Sequence, residues 1–288
     1  MSTNEQRRQA AKRKLDRQLA RRAERAKRRR VFAVLGGASA VVLVIGLVVL
    51  ITILGDGDAD TAAVPDASVA PSEGSAASPT PTVGATPARA APPVRPQPLP
   101  PTVDCQYPVS AQAPAKPVNP PPAGATPTTG TVSVDLQTNA GAIPLTLDRG
   151  LAPCAVTNFI SLTEQGYFND TPCHRLTTGA GLQVLQCGDP SGTGTGGPGY
   201  SFANETWPEL TYGRGHLAMA NAGPDTNGSQ FFLVYGDAQL PPDYTVFGTV
   251  SDEGLQVLDQ IARVGTQGGI PDGPPATPVT ITTATIIP

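Results

Sequence analysis

The chain has 288 residues, with 20 Lys and Arg against 23 Asp and Glu, a formal net charge of −3, and 5% aromatic residues. The near-neutral total hides an asymmetry: residues 1–30 carry 13 basic and 3 acidic side chains, a net +10, while the other 258 carry 7 and 20, a net −13. Such a split points to a membrane boundary or a basic tail. The tail has no aromatic side chain on which bases could stack, so no nucleic-acid partner is expected.

Residues 1–30 read as a basic cytoplasmic tail, rich in Ala, Gln, Arg and Lys and suited to lie near anionic headgroups. Val31 to Leu54 then runs for 24 residues without a charge. As a helix it would be about 36 Å long, enough to span a hydrocarbon core of ~30 Å with some tilt. A cleaved leader would have a short basic start and an apolar region of only ~7 to 15 residues, so an uncleaved anchor over 31–54 is expected. Basic residues stay on the cytoplasmic side. That orientation places the N-terminus inside and everything after Gly55 outside.

Residues 55–129 are dominated by Ala, Pro, Ser, Thr and Val, and are expected to form a disordered, partly extended tether that cannot bury enough apolar surface to offset chain entropy. Within this stretch Thr102 to Val118 is less repetitive and contains Cys105 and Tyr107, which suits a piece that packs back on a folded domain. The domain itself is expected over 130–288.

Val132, Val134 and Leu136 alternate with polar residues, as do Ile143, Leu145 and Leu147, which predicts two strands joined by a turn. Ala152 to Tyr167 reads as a helix, with Pro153 in its first turn, Val156, Phe159 and Ile160 at helical spacing, and Gly166 at its end. Strands follow at Cys173 to Thr177, Gln183 to Cys187, His216 to Ala220, Ser229 to Tyr235 and Tyr244 to Val250. A second helix is predicted near Asp252 to Ala262, and Pro278 to Ile287 alternates as a last strand. The expected fold is mainly β: eight antiparallel strands in a closed barrel with two α-helices, preceded by the transmembrane helix and tether. A barrel of this size is filled by its own side chains, so a site must lie on its outer wall.

The motif Met219 to Phe232, MANAGPDTNGSQFF, stands after Cys173–His174–Arg175, the run Leu185 to Asp189 and the GTGG of Gly194 to Gly197. In this order and spacing the set resembles the signature of the cyclophilins, the peptidyl-prolyl cis/trans isomerases, over roughly Thr131 to Ile287. The resemblance implies a barrel capped by two helices, an external substrate groove, and isomerisation without a covalent intermediate, metal or organic cofactor. It implies that Arg175 and Gln186 are catalytic. It places Val184, Phe232, Leu240 and Tyr244 around the proline, Ala220, Asn221 and Ala222 along the substrate backbone, and Gly194 and Gln230 beside the neighbouring subsite. Proline-containing exported or cell-wall polypeptides are the implied partners. The alternative on the same fold is a non-catalytic proline-peptide-binding module or chaperone; the presence of Arg175 favours the enzyme.

Four departures from the family pattern stand out. The phenylalanine that commonly precedes the Val184 position is replaced by Gln183, or by Leu182 if the insertion is placed differently, and a family histidine falls at Tyr244. Ten residues separate Arg175 from Gln186, more than is usual, so this hairpin is long. Gln239 stands where cyclosporin-sensitive members have tryptophan, which implies weak cyclosporin A binding. Other chemistries lack their residues: the GTGTGG of Gly192 to Gly197 has no following Lys and Ser/Thr in Walker spacing, and no Cys or His grouping has zinc spacing.

The four cysteines, 105, 154, 173 and 187, are an even number in a segment expected to face an oxidising exterior, where disulfides form. Three connectivities are open. Side-chain alternation places Cys173 with Arg175 but Cys187 opposite to Gln186, which argues against a Cys173–Cys187 bridge. A bridged Cys105 would staple the end of the tether to the barrel.

Overall fold

The computed structural model describes residues 87–287. The expected basic tail and apolar anchor lie outside the described residues, among which no helix is long and apolar enough to cross a membrane.

The described chain is mainly β with two helices. A two-stranded antiparallel ribbon comes first, β1 (Thr102–Cys105) with β2 (Gly124–Pro127). Then follow β3 (Thr131–Thr138), β4 (Gly141–Asp148), α1 (Pro153–Glu164), β5 (Thr171–Pro172), β6 (Arg175–Thr177), β7 (Leu182–Cys187), β8 (His216–Met219), β9 (Phe231–Ala238), β10 (Val246–Val250), α2 (Asp252–Val264), β11 (Asp272–Gly273) and β12 (Thr280–Ile287). From β3 onward the strands form one antiparallel sheet of ten, in the order β11-β6-β7-β9-β8-β10-β4-β3-β12-β5.

The expected closed barrel of eight strands is corrected on two points. The short strands β5 and β11 raise the count, and no ladder joins these two end strands. The sheet curls instead, and the chain itself crosses the seam: β5 at one end of the order runs within three residues into β6, next to the other end.

Strand register sorts the side chains into layers, because successive residues of a strand face opposite sides of the sheet. Leu176, Leu185, Leu233 and Leu217 are neighbours across β6, β7, β9 and β8, and all four are fully buried. Phe231, on the same side as that row, meets Phe159 of α1 at a centroid distance of 5.2 Å and Phe168 at 5.5 Å. Both helices are tied at their starts. Ser251 caps α2 by accepting the Gly254 N–H. Helix α1 has no local side-chain cap; Glu205 accepts its Cys154 and Ala155 N–H groups at 3.0 and 2.8 Å. Burial pushes the Glu205 carboxyl up to about 7 against the pull of those two donors and of Arg95.

Residues 87–129, which composition assigned to the tether, lie on the domain. Arg95 donates to the Leu151 and Glu205 carbonyls and stacks over Trp207 at 4.7 Å. Tyr107 donates to the Cys154 carbonyl and packs edge-on to Tyr200 and Phe202. Cys105 is bonded to Cys154 and Cys173 to Cys187.

The second disulfide overturns the alternation argument. Alternation holds only along continuous extended backbone, and the backbone is not continuous there. Residues 173 and 174 lie between β5, which pairs with β12, and β6, which pairs with β7. The chain turns at this change of partner, and the Cys173 N–H bonds to Val279 rather than to β7. Its side chain is thereby 3% exposed, beside the fully buried Cys187.

The Cys105–Cys154 bridge spans 49 residues of sequence. Loop entropy of that length corresponds to an upper value of about 4 kcal/mol. Cys105→Ser with Cys154→Ser is expected to lower the melting temperature by about 5 to 15 °C. A melting curve that does not move would show that the bridge adds nothing to the stability of the domain.

Candidate functional site

On the face opposite the leucine row, Arg175 of β6 pairs with Gln186 of β7, Gln186 with Phe232 of β9, and Phe232 with Ala218 of β8. Three strands thus place a guanidinium, an amide and an aromatic ring side by side, with Ala218 of a fourth beyond them. The adjacent phenylalanines divide accordingly, Phe231 into the core and Phe232 onto this face, where it meets Tyr244 at 5.7 Å. Tyr244 is held in turn by Tyr212, whose hydroxyl donates to the Tyr244 carbonyl and accepts its N–H.

A chain of hydrogen bonds fixes the polar groups. Asp272 of β11 receives Arg175 Nε and Nη2, both at 2.8 Å, in a two-point ion pair. Arg175 Nη1 donates to Gln186 Oε1 at 3.1 Å, and Gln186 Nε2 to Gln230 Oε1 at 2.9 Å. Gln230 Nε2 ends the chain on the Gly194 and Gly196 carbonyls. A guanidinium has five N–H groups, so among the described residues these bonds leave one on Nη1 and one on Nη2 without a partner. The Asp272 carboxylate pushes the Arg175 pKa further up, and Arg175 holds Asp272 below the usual carboxylate range.

The glycine-rich loop is wound around another carboxylate. Asp189 accepts the Ser191 N–H and hydroxyl on Oδ1, and the Gly194 and Gly196 N–H groups at 2.8 and 2.9 Å on Oδ2. Gly194 has φ +78°, and a Cβ on Gly196 would fall 2.0 Å from Asp189 Oδ1, so neither position admits a larger residue without disruption. Burial pushes Asp189 up, but the hydrogen bonds from Ser191, Gly196 and Gly194 outweigh it and hold the carboxyl below its ordinary value.

Between this loop and Met219 to Gln230 lies a groove of about 600 Å³. It is lined by Gln186, Gly194, Ala220, Asn221, Ala222 and Gln230, all singled out from the sequence. The Asn221 side chain is tied to the Asp243 carbonyl and the Gly223 N–H, and among the described residues its backbone N–H and C=O make no hydrogen bond. An extended peptide can pair there. Arg175, Val184, Phe232, Leu240 and Tyr244 lie outside the groove lining. Val184 is on the Gln186 face two residues along, but is only 2% exposed.

Several contributors had no signal in the sequence. Asp272 is 97 residues from Arg175 in a Gly- and Pro-rich loop. Ser110, Ala111 and Gln112 line the far side of the groove; the nearby Cys105 and Tyr107, out of place in a tether, were the only hint. His174 and His216 take no part in the hydrogen-bonded chain. Burial keeps both below the usual imidazole range, with His174 packed against Gly194 and His216 bonded to Ala91 and Gly213.

The family model for "Cyclophilin type peptidyl-prolyl cis-trans isomerase/CLD" matches residues 133–286. The chain belongs to this family and is a peptidyl-prolyl cis/trans isomerase. It is 54% identical over 297 aligned positions to the "Probable peptidyl-prolyl cis-trans isomerase B" of Mycobacterium leprae, covering 98% of both chains. It is 55% identical over 192 residues, 62% of each chain, to the protein of the same description from Mycobacterium tuberculosis. A cyclophilin-type isomerase structure from Cryptosporidium parvum aligns at 33% identity and TM-score 0.48, covering 55% of this chain and 99% of that one.

Because the folded-state pKa of Asp189 is depressed, its contribution is complete above the unfolded value near 4 and is lost as pH falls through the lower folded value. Asp189→Asn removes the charge and an acceptor, and is expected to cost about 1 to 3 kcal/mol at pH 7. Urea unfolding at pH 7 and pH 3 should show the gap between parent and variant narrowing at the lower pH. A gap that stayed constant would mean the charge is not what holds the loop.

Proposed function

We propose that Arg175 lowers the isomerisation barrier by donating a hydrogen bond to the prolyl nitrogen. The planar amide resists rotation by ~18–20 kcal/mol because its nitrogen lone pair is delocalised, which leaves the uncatalysed reaction at tens to hundreds of seconds. At the twisted transition state the nitrogen becomes pyramidal and can accept a hydrogen bond. A donor aimed there stabilises the transition state and not the planar ground state. The observation that carries this reading is the bracing of Arg175 by Asp272 and Gln186, which leaves two N–H groups free. A donor fixed in advance does not have to reorganise during the reaction.

Phe232 is the floor of the proline site in this reading, with Tyr244 and Leu240 beside it and Val184 supporting from below. Asn221, flanked by Ala220 and Ala222, pairs with the substrate backbone, and Gln186 holds the carbonyl side of the bond. Gln230 and Gly194 border the next subsite.

The assay is isomerisation of a short Xaa-Pro peptide by the full-length protein in detergent. Arg175→Ala is expected to lower kcat/KM by about ten- to a thousandfold, at roughly 1.36 kcal/mol per factor of ten. A folded variant that retained parental activity would remove Arg175 from the mechanism. With Gln239 offering neither an indole donor nor a large apolar face, cyclosporin A should inhibit the same assay only weakly, and nanomolar inhibition would refute that expectation.

We further propose that the enzyme works outside the cell membrane, anchored by a single pass over 31–54 with the tail inside, and acts on proline-containing exported or cell-wall polypeptides. The charge asymmetry of the sequence supports this placement, as do the two disulfides, which belong to oxidising compartments. Protease added to wall-stripped cells should remove the domain and spare an epitope on the tail. Protection of the whole chain until lysis would reverse the assignment.

A further inference from the structure

The family match begins at residue 133, yet one wall of the groove comes from residues well before it. The segment from Pro108 to Ala115 is held across the groove's rim at both ends. Three residues ahead of it, Cys105 is bonded to Cys154. The Ser201 N–H then reaches the Pro108 carbonyl at 3.1 Å, and the Ser110 N–H reaches Gly199 at 2.9 Å. At its far end Gln112 Nε2 donates to the Thr195 carbonyl at 2.7 Å, and the Ala115 N–H to the Gly197 carbonyl at 2.8 Å. Just beyond, Lys116 Nζ donates to the Gly166 and Asn169 carbonyls. Within the strap the Ser110 hydroxyl donates to the Gln112 carbonyl at 3.1 Å, and the bonds that leave it go to the glycine-rich loop or its continuation, whose inner side is fixed by Asp189 and Gln230.

Ala111 and Gln112 are solvent-exposed, so the strap leaves the groove open rather than filling it. The opposite wall carries Gln186, Asn221 and Gln230, the polar end of the site that holds Arg175. None of the lining residues is charged. A charged side chain entering this space would find no counter-charge in the lining itself, whereas a small uncharged one would find backbone carbonyls, hydroxyls and amides.

We propose that the strap Pro108–Ala115 completes a subsite for a residue flanking the isomerised proline, and that Ser110, Ala111 and Gln112 make it select uncharged side chains. The inference rests on the isomerase reading of the neighbouring site and adds a specificity element outside the family domain. Ala111 is the position to test, because its exposed methyl makes no contact on which the fold depends.

The experiment uses the full-length protein in detergent and a set of Xaa-Pro hexapeptides carrying Ala, Lys or Glu at each position on either side of the proline; at the position that meets the strap the parent should turn over the Ala peptide about three- to tenfold faster than either charged one, and equal rates would overturn the proposed selectivity. Parent, Ala111→Glu and Ala111→Lys are compared by kcat/KM. At one position near the proline, Ala111→Glu should raise the Lys-to-Glu preference by about three- to tenfold over the parent, and Ala111→Lys should lower it by a similar factor. Both effects should fade at ~0.5 M salt, as expected of partly screened charges. A strap with only a structural role would not give opposite signs for opposite charges. The same Lys-to-Glu ratio in all three proteins at every position would overturn the proposal. If the parent turned over none of the peptides while folded, the isomerase reading itself would fail and take the subsite with it.

Discussion

The functional face depends on a constraint set on the other side of the sheet. Leu176, Leu185, Leu233 and Leu217 form a buried row across four strands. With a side-chain period of two, that row dictates which residues point outward one step along each strand. Slipping β7 by one residue would turn Gln186 inward and Leu185 outward, burying an unpaired amide and exposing an apolar side chain. Hydrophobic burial therefore sets the alignment of Arg175, Gln186 and Phe232, although none of the three supplies most of it.

Register alone leaves a long side chain free to wander, and hydrogen bonds restrict it further. Arg175 lies at an edge of the sheet's order, next to the two-residue strand β11, and its side chain is 37% exposed. An exposed arginine normally samples many rotamers and gains little from an ion pair. The two-point contact with Asp272 and the third bond to Gln186 replace that freedom with one orientation. What is gained is geometry more than stability. The same logic applies to Asp189, which converts a glycine-rich loop, costly to order, into a fixed rim that presents the Gly194 and Gly196 carbonyls to Gln230.

Much of this was legible in the sequence, and the parts that were not share a cause. Alternation located the long strands, and helical spacing located both helices, because each reflects burial on one side. Met219 to Phe232 could be read because its residues act close together in the chain. Asp272 acts on a residue 97 positions away and sits in a loop with no periodicity. The Cys173–Cys187 bridge escapes side-chain alternation because it lies where the chain changes neighbouring strands. Residues 87–129 resemble a tether because they fold by leaning on a finished domain: Arg95 on Trp207, Tyr107 on Tyr200 and Phe202. Composition records what a segment can bury by itself, not what it can borrow from a neighbour.

The groove's chemistry separates two tasks that isomerisation imposes together. An enzyme that rotates prolyl bonds in many polypeptides must recognise what those bonds share, which is a proline ring and a peptide backbone. In the proposed reading Phe232 and the free backbone groups of Asn221 address those features, and Ala220, Ala222 and the glycines of the loop keep the approach clear. Sites built from main-chain groups and small residues are tolerant of sequence by construction, since they touch little that varies between substrates. Selectivity must then come from side chains at the margin of the groove, where a change does not disturb Arg175 or the proline site. The strap occupies that margin, and its bonds to the loop, with the Cys105–Cys154 bridge just ahead of it, restrict the positions it can take. A segment added ahead of the catalytic domain can thus alter substrate preference without altering how the bond is turned.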